Sequence, residues 1–147
     1  MKFLIDSMLG KLAKWLRIMG YDTYYQKKYR LNELYNLLKH NRIFLSRDIK
    51  LVKKFDGILI NSEILDNQIK ELKQKLILKP NPKLWFSRCV ICNTELLTAD
   101  FEYTKEHVPE YILMQNYRVK FCPTCKRLYW PGTHKQKMIK KLKEWGF

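Results

Sequence analysis

Two sets of side chains in this 147-residue chain have the type and spacing to do chemistry. Its four cysteines form two Cys-x-x-Cys knuckles, Cys89/Cys92 and Cys122/Cys125. A two-residue spacer lets both sulfurs of a tight turn face one ion, and two such turns complete the tetrahedral thiolate shell of Zn²⁺. The spacing predicts a closed structural zinc ribbon. The alternative, a pair of disulfides, belongs to small secreted chains, and Met1-Lys2-Phe3-Leu4-Ile5-Asp6 becomes charged too early for a secretory signal core. The second set is acidic. Asp6 directly follows the apolar run Phe3-Leu4-Ile5, Asp48 follows Ile43-Phe44-Leu45 after Ser46-Arg47, and Glu63 stands just past Ile58-Leu59-Ile60. Convergent carboxylates suit hard Mg²⁺ or Mn²⁺ ions, which activate water and neutralise charge at a phosphodiester. Asp6 and Asp48 equally suit plain helix N-caps. Asp22, at the start of a second strand, is less obviously placed at that edge and reads more readily as structural; Asp56 and Asp66 read as surface acids.

These acids matter only if the elements behind them bring them together. Apolar runs alternate with helical patterns over the first half of the chain. Phe3–Ile5, Tyr21–Tyr25, Ile43–Leu45 and Ile58–Ile60 read as strands. Leu9, Leu12, Ala13, Leu16 and Met19 recur at helical spacing until Gly20 stops the helix; further helices are expected around Leu31–Leu38, from Asp48 to Phe55, and across Ile64–Leu76. Such alternation predicts an α/β fold, a parallel sheet of about four strands flanked by helices. In an open parallel sheet, ligands gather beyond the carboxyl ends of the strands where strand order reverses. If the first and third strands are neighbours, Asp6 and Asp48 meet there.

Leu78-Lys79-Pro80-Asn81-Pro82-Lys83 reads as a short stiff linker. It divides an α/β domain over 1–79 from a zinc-ribbon domain over 83–147. Aromatic and β-branched residues between the knuckles point to a small antiparallel ribbon, and a basic C-terminal helix carries Met138, Ile139, Leu142 and Trp145 on its apolar stripe. Trp85, Phe86, Tyr129 and Trp130 flank the knuckles, more as ribbon core than as platforms for unpaired bases. His134 is not needed as a ligand, since four cysteines already fill the tetrahedron.

The net charge of +15, from 29 Lys+Arg against 14 Asp+Glu, spreads over both halves. Such an excess repels itself, and a polyanionic partner compensates it. Core-facing apolar helix sides favour nucleic acid over a membrane surface. No apolar run approaches the roughly 20 residues of a membrane span, and a cytoplasmic location is expected. Lys11, Lys14 and Arg17 recur along the first helix, and Arg47 and Lys50 flank Asp48, so these five are the candidate phosphate contacts. The chain lacks a glycine-rich phosphate loop, which argues against nucleoside-triphosphate chemistry, and cysteine nucleophiles are excluded if every thiol holds zinc.

Taken in order, Phe3-Leu4-Ile5-Asp6-Ser7-Met8-Leu9-Gly10-Lys11-Leu12-Ala13-Lys14-Trp15-Leu16-Arg17, then Gly20-Tyr21-Asp22-Thr23, Leu45-Ser46-Arg47-Asp48, both knuckles, and Cys122-Pro123-x-Cys125-x-x-x-Tyr129-Trp130-x-Gly132-Thr133-His134, resemble the Mut-seven C-terminal RNase domain family. The resemblance implies a PIN-like fold with a fused zinc ribbon and metal-dependent RNA cleavage. Asp6 and Asp48 match the family's acidic positions, and Asp22 is a third candidate. The sequence departs from the family in two places. Lys11 and Lys14 stand where arginine is common, losing bidentate phosphate geometry, and Asn61-Ser62-Glu63 offers one acid where relatives often show two. The resulting expectation is a Mg²⁺- or Mn²⁺-dependent ribonuclease with Asp22 or Glu63 completing the site. The competing reading is a non-catalytic RNA-binding adaptor, in which the acids are caps and the ribbon docks on RNA or a ribonucleoprotein.

Overall fold

In the computed structural model, which describes residues 1–147, the run Phe3-Leu4-Ile5 lies in strand β1 (Lys2–Ile5) with all three side chains fully buried. An uninterrupted apolar run of this kind belongs to a strand covered on both faces. Strand β1 pairs in parallel with β2 (Asp22–Tyr25) on one side and β3 (Ile43–Ser46) on the other, and β4 (Ile58–Leu59) pairs in parallel with β3. The order is β2-β1-β3-β4. The chain therefore leaves β1 in one direction and returns past it to β3. The switch point falls between the carboxyl ends of β1 and β3.

Helices α1 (Gly10–Ile18), α2 (Leu31–Leu38), α3 (Ile49–Phe55) and α4 (Leu65–Lys75) connect and follow the strands. Leu4 and Phe44 pack with Leu34, Leu37 and Leu38 of α2 and with Leu51 and Phe55 of α3. Alternation along each strand sends Phe3, Ile5 and Leu45 to the opposite face. Burying a side chain the size of Phe44 contributes about 2–3 kcal/mol, so the two-sided core fixes the strand register. Gly20 ends α1 with φ of 96°, and an added Cβ would stand 2.6 Å from the Leu84 carbonyl oxygen. Only glycine meets both demands.

The chain forms two compact units, residues 1–93 and 94–147. The first runs on through the paired prolines: Leu78 is buried, Asn81 caps a 3₁₀ turn at Pro82–Leu84, and Phe86 N donates to the Ile18 carbonyl at 2.8 Å. The second contains an antiparallel sheet of β5 (Leu97–Thr98), β6 (Lys120–Phe121) and β7 (Leu128–Tyr129), as expected of a ribbon.

Two helices between β5 and β6, α5 (Phe101–His107) and α6 (Glu110–Met114), depart from the ribbon reading. Asp100 begins the first by accepting from Tyr103 N at 2.7 Å, and Val108, Ile112 and Val119 form the local core. The basic helix α7 (Thr133–Glu144) buries Leu142 completely. No helix in either unit is long and apolar enough to cross a membrane.

Candidate active site

Parallel pairing of β1 with β3 brings Asp6 and Asp48 to one edge, and Ser46 joins them. The Ser46 hydroxyl donates to Asp6 Oδ2 at 2.6 Å and accepts from Asp48 N at 2.9 Å. Ser46 is fully buried, so its hydroxyl has little alternative to these partners. Each carboxylate also caps a helical turn. Asp6 Oδ1 accepts from Ser7 N at 2.8 Å, and Asp48 Oδ1 accepts from Lys50 N at 2.9 Å and Leu51 N at 3.3 Å. Capping engages only the Oδ1 atoms. Asp48 Oδ2 bonds nothing in the protein, and a carboxylate oxygen has two acceptor sites, so capacity for a cation remains.

The charge around the pair is unusual for this chain. Elsewhere, ion pairs join Arg42 to Asp22, Arg47 to Glu63 and Lys75 to Glu71. Neither Asp6, which is 6% exposed, nor the exposed Asp48 joins one, although Lys and Arg outnumber Asp and Glu by 29 to 14. Two acids at neighbouring strand ends, neither ion-paired to a basic side chain, concentrate negative charge at the switch point.

Glu63 reaches the same edge, 82% exposed and 3.4 Å from Arg47 Nη2. The loop carrying it is shaped by Glu71 of α4, which accepts from Asn61 N and from the Ser62 amide and hydroxyl. Burial alone would raise the Glu71 pKa, but these bonds and Lys75 outweigh it and hold the carboxyl below its usual range.

The fit to Mg²⁺ or Mn²⁺ rests on two carboxylates, because the cysteines are the only group of three or more ligand side chains gathered closely enough to share an ion. Two suffice for Mg²⁺, which retains waters and takes substrate phosphate oxygens as further ligands.

Tyr25 and Tyr29 border Asp6. Burial is the main cause that raises the Tyr29 phenol far above its ordinary pKa, with the Asp6 charge adding to it. The group is therefore a neutral hydroxyl donor. Ser46, Tyr25 and Tyr29 escape a reading based on acids and bases, and Glu71, inside a helix, escapes one confined to acids at strand ends. A hydroxyl ending an apolar strand was the one available signal, and only for Ser46.

Two expected site residues lie elsewhere. Asp22 pairs in register with Lys2, whereas Asp6 lies beyond Ile5 at the other end of β1. At about 3.3 Å per residue the two levels are some 13 Å apart along the strand direction, and Asp22 does not join the acidic pair. Its Oδ1 accepts from Arg42 Nη1 at 2.9 Å and Asn93 Nδ2 at 2.7 Å. Burial would raise its pKa; the bonds from Arg42 and Asn93 overcome that and lower it.

Arg17 is buried rather than presented to a phosphate. Its Nε donates to the Thr23 carbonyl at 2.9 Å, and Nη1 donates to the carbonyls of Val90 and Ile91 at 2.9 and 3.1 Å. Lys11, Lys14 and Lys50 are exposed, and Arg47 is half-buried.

The knuckles repeat one local design. Asn93 N donates to the Cys89 carbonyl and Lys126 N to the Cys122 carbonyl, each at 2.9 Å. Asn93 and Lys126 take left-handed φ values of 66° and 65°. The four thiols form no disulfide, and their sulfurs all lie within 4.8 Å of one another. A Zn–S bond of about 2.3 Å spaces tetrahedral sulfurs about 3.8 Å apart, so this donor set fits Zn²⁺. His134 is exposed and outside the group.

Compared with family models, residues 1–142 match the Mut7-C RNAse domain. The chain is matched by no curated protein and by no solved structure.

Proposed function

Because the chain belongs to the Mut7-C RNase domain family, we propose that it is a divalent-metal-dependent ribonuclease whose reaction centre is the Asp6–Ser46–Asp48 cluster. The observation carrying this reading is that Asp6 and Asp48, linked through Ser46 at neighbouring strand ends, form no ion pair in a chain of net charge +15. Asp6 and Asp48 would hold Mg²⁺ or Mn²⁺, with Glu63 on the exposed side. When bound, the ion offsets charge on the scissile phosphate and lowers the pKa of an attacking water. Ser46 ties Asp6 Oδ2 to the Asp48 backbone amide, restraining the two residues relative to each other before substrate arrives. Lys11, Lys14 and Lys50 bind the RNA backbone as point charges, and Arg47 steadies the Glu63 loop beside it. The cysteines hold a structural Zn²⁺ that keeps the knuckles folded and supports RNA binding by the basic second unit. A four-thiolate metal site suits a reducing compartment, in keeping with the cytoplasm.

The test is cleavage of a labelled RNA with Mn²⁺ by wild-type protein and Asp6→Asn. Loss of cleavage in the variant, with RNA still bound, is expected. Equal cleavage by both proteins would sink the assigned centre. The capping bonds of Asp6 and Asp48 favour the adaptor as a second reading, and binding without cleavage by wild-type protein would select it.

A further inference from the structure

We propose that Tyr29 and Tyr25 are positioning residues for the reaction, their hydroxyls clamping the backbone on either side of Asp6. The proposal rests on the reading of Asp6 as part of the reaction centre.

Asp6 stands at a chain reversal where β1 gives way to a 3₁₀ turn at Ser7–Leu9. Its own amide donates to the Leu45 carbonyl and its own carbonyl accepts from Leu9 N, each at 3.0 Å. The flanking carbonyls are held by side chains. Tyr29 Oη donates to the Ile5 carbonyl and Tyr25 Oη donates to the Ser7 carbonyl, each at 2.8 Å. Three successive carbonyls, of Ile5, Asp6 and Ser7, are thus anchored from separate directions.

The Tyr29 hydroxyl also accepts from Gln26 N at 2.8 Å. It bridges the β2 side to the β1 side, extending their pairing one step beyond the Ile5–Tyr25 rung. A hydrogen bond to a backbone carbonyl cannot neutralise a carboxylate. It sets only where the main chain, and hence Cβ of Asp6, is held. Gly10 preserves the arrangement, since a Cβ there would stand 2.9 Å from Tyr25 Oη. Reaction geometry tolerates displacements of only about 0.5 Å, and an error of about 1 Å can cost about 100-fold in rate.

The test compares zinc-loaded wild-type protein with Tyr29→Phe, Tyr25→Phe, Tyr24→Phe and Asp6→Asn. Tyr24 is the control, because its hydroxyl accepts from Gln26 Nε2 and does not touch the Asp6 backbone. Cleavage kinetics give kcat and KM, calorimetry gives Mn²⁺ affinity without turnover, and melting gives stability. The expected result for Tyr29→Phe is a kcat lower by about 10-fold or more with KM within about 2-fold, and Mn²⁺ affinity weakened about 10-fold, as for other residues that orient ligands. Tyr25→Phe should follow in the same direction and carries the test alone if Tyr29→Phe does not fold. Tyr24→Phe should keep wild-type kcat and Mn²⁺ affinity. If the clamp variants melt lower but match wild type in kcat and Mn²⁺ affinity while Asp6→Asn is inactive, the clamp is overturned and the reaction centre stands. If Asp6→Asn retains wild-type kcat, the centre fails and the clamp with it.

Discussion

The two ends of the parallel sheet carry acids of one chemical type in opposite circumstances. At the amino end, Asp22 meets Arg42 at 2.9 Å, and Asn93 donates to the same oxygen. At the carboxyl end, Asp6 and Asp48 meet a serine hydroxyl and backbone amides, and no cation. The first acid is spent on architecture. Asn93 also accepts from Thr23 N, and Arg17 donates to the Thr23 carbonyl, so the open edge of β2 is sealed jointly by α1 and the segment that bears the first knuckle. The second pair keeps its charge uncompensated. An acid at a strand end acquires a role from what answers its charge.

Substitutions at each end should sharpen or break that contrast. The largest effect is expected at Asp6: Asp6→Asn should lower kcat by more than the roughly 100-fold ceiling for residues that merely orient a ligand, whereas Asp22→Asn should change it by less than about 3-fold. Single-turnover cleavage of labelled RNA measures both, and equal losses would erase the distinction between the two ends. Arg17→Met comes next. It strips donors from the Thr23, Val90 and Ile91 carbonyls, and an unsatisfied buried group costs about 1–3 kcal/mol. Denaturant unfolding should show a loss of about 3 kcal/mol or more, with RNA affinity of the folded fraction unchanged; a selective loss of RNA affinity would return Arg17 to the phosphate contacts.

Smaller effects follow. Lys11→Ala and Lys14→Ala should weaken RNA binding and each reduce the slope of log affinity against log salt by about 1, with melting temperature unaltered. Salt titrations of binding provide the check, and unchanged slopes would remove that helix from the interface.

The mildest contrast is in pH. Asp22 and Glu71 have pKa values below those of the unfolded chain, so their contribution is full above the unfolded carboxylate value of about 4 and is lost as pH falls through the lower folded values. Melting temperature should therefore drop on acidification below about pH 5, and drop less steeply in Asp22→Asn.

Much of the first unit was legible because its elements advertise themselves. Fully apolar runs mark β1 and β3, Gly20 stops α1, and Asp48 starts α3, as expected of local steric and capping rules. The helices α5 and α6 were not legible. Asp100 and Pro109 stand at their N-termini, but aromatic residues between two knuckles also satisfy the simpler reading of a continuous ribbon. Arg17 was misplaced for a different reason. Helical spacing puts it in line with Lys11 and Lys14, yet the stripe drifts toward the core, where the Val90 and Ile91 carbonyls need a donor.

The sequence by itself determined the periodicities, the fourfold thiol set and which acids stand at strand ends, because these depend on neighbours along the chain. Spacing alone is enough to identify a Cys-x-x-Cys knuckle. Tertiary structure alone decided that β1 lies beside β3, that Ser46 joins Asp6 to Asp48, that Arg42 claims Asp22, and that Tyr25 at the end of β2 and Tyr29 beyond it grip the backbone around Asp6. Strand order and charge compensation depend on residues distant in sequence, and no local pattern records which of many cations or hydroxyls the fold delivers to a given carboxylate or carbonyl.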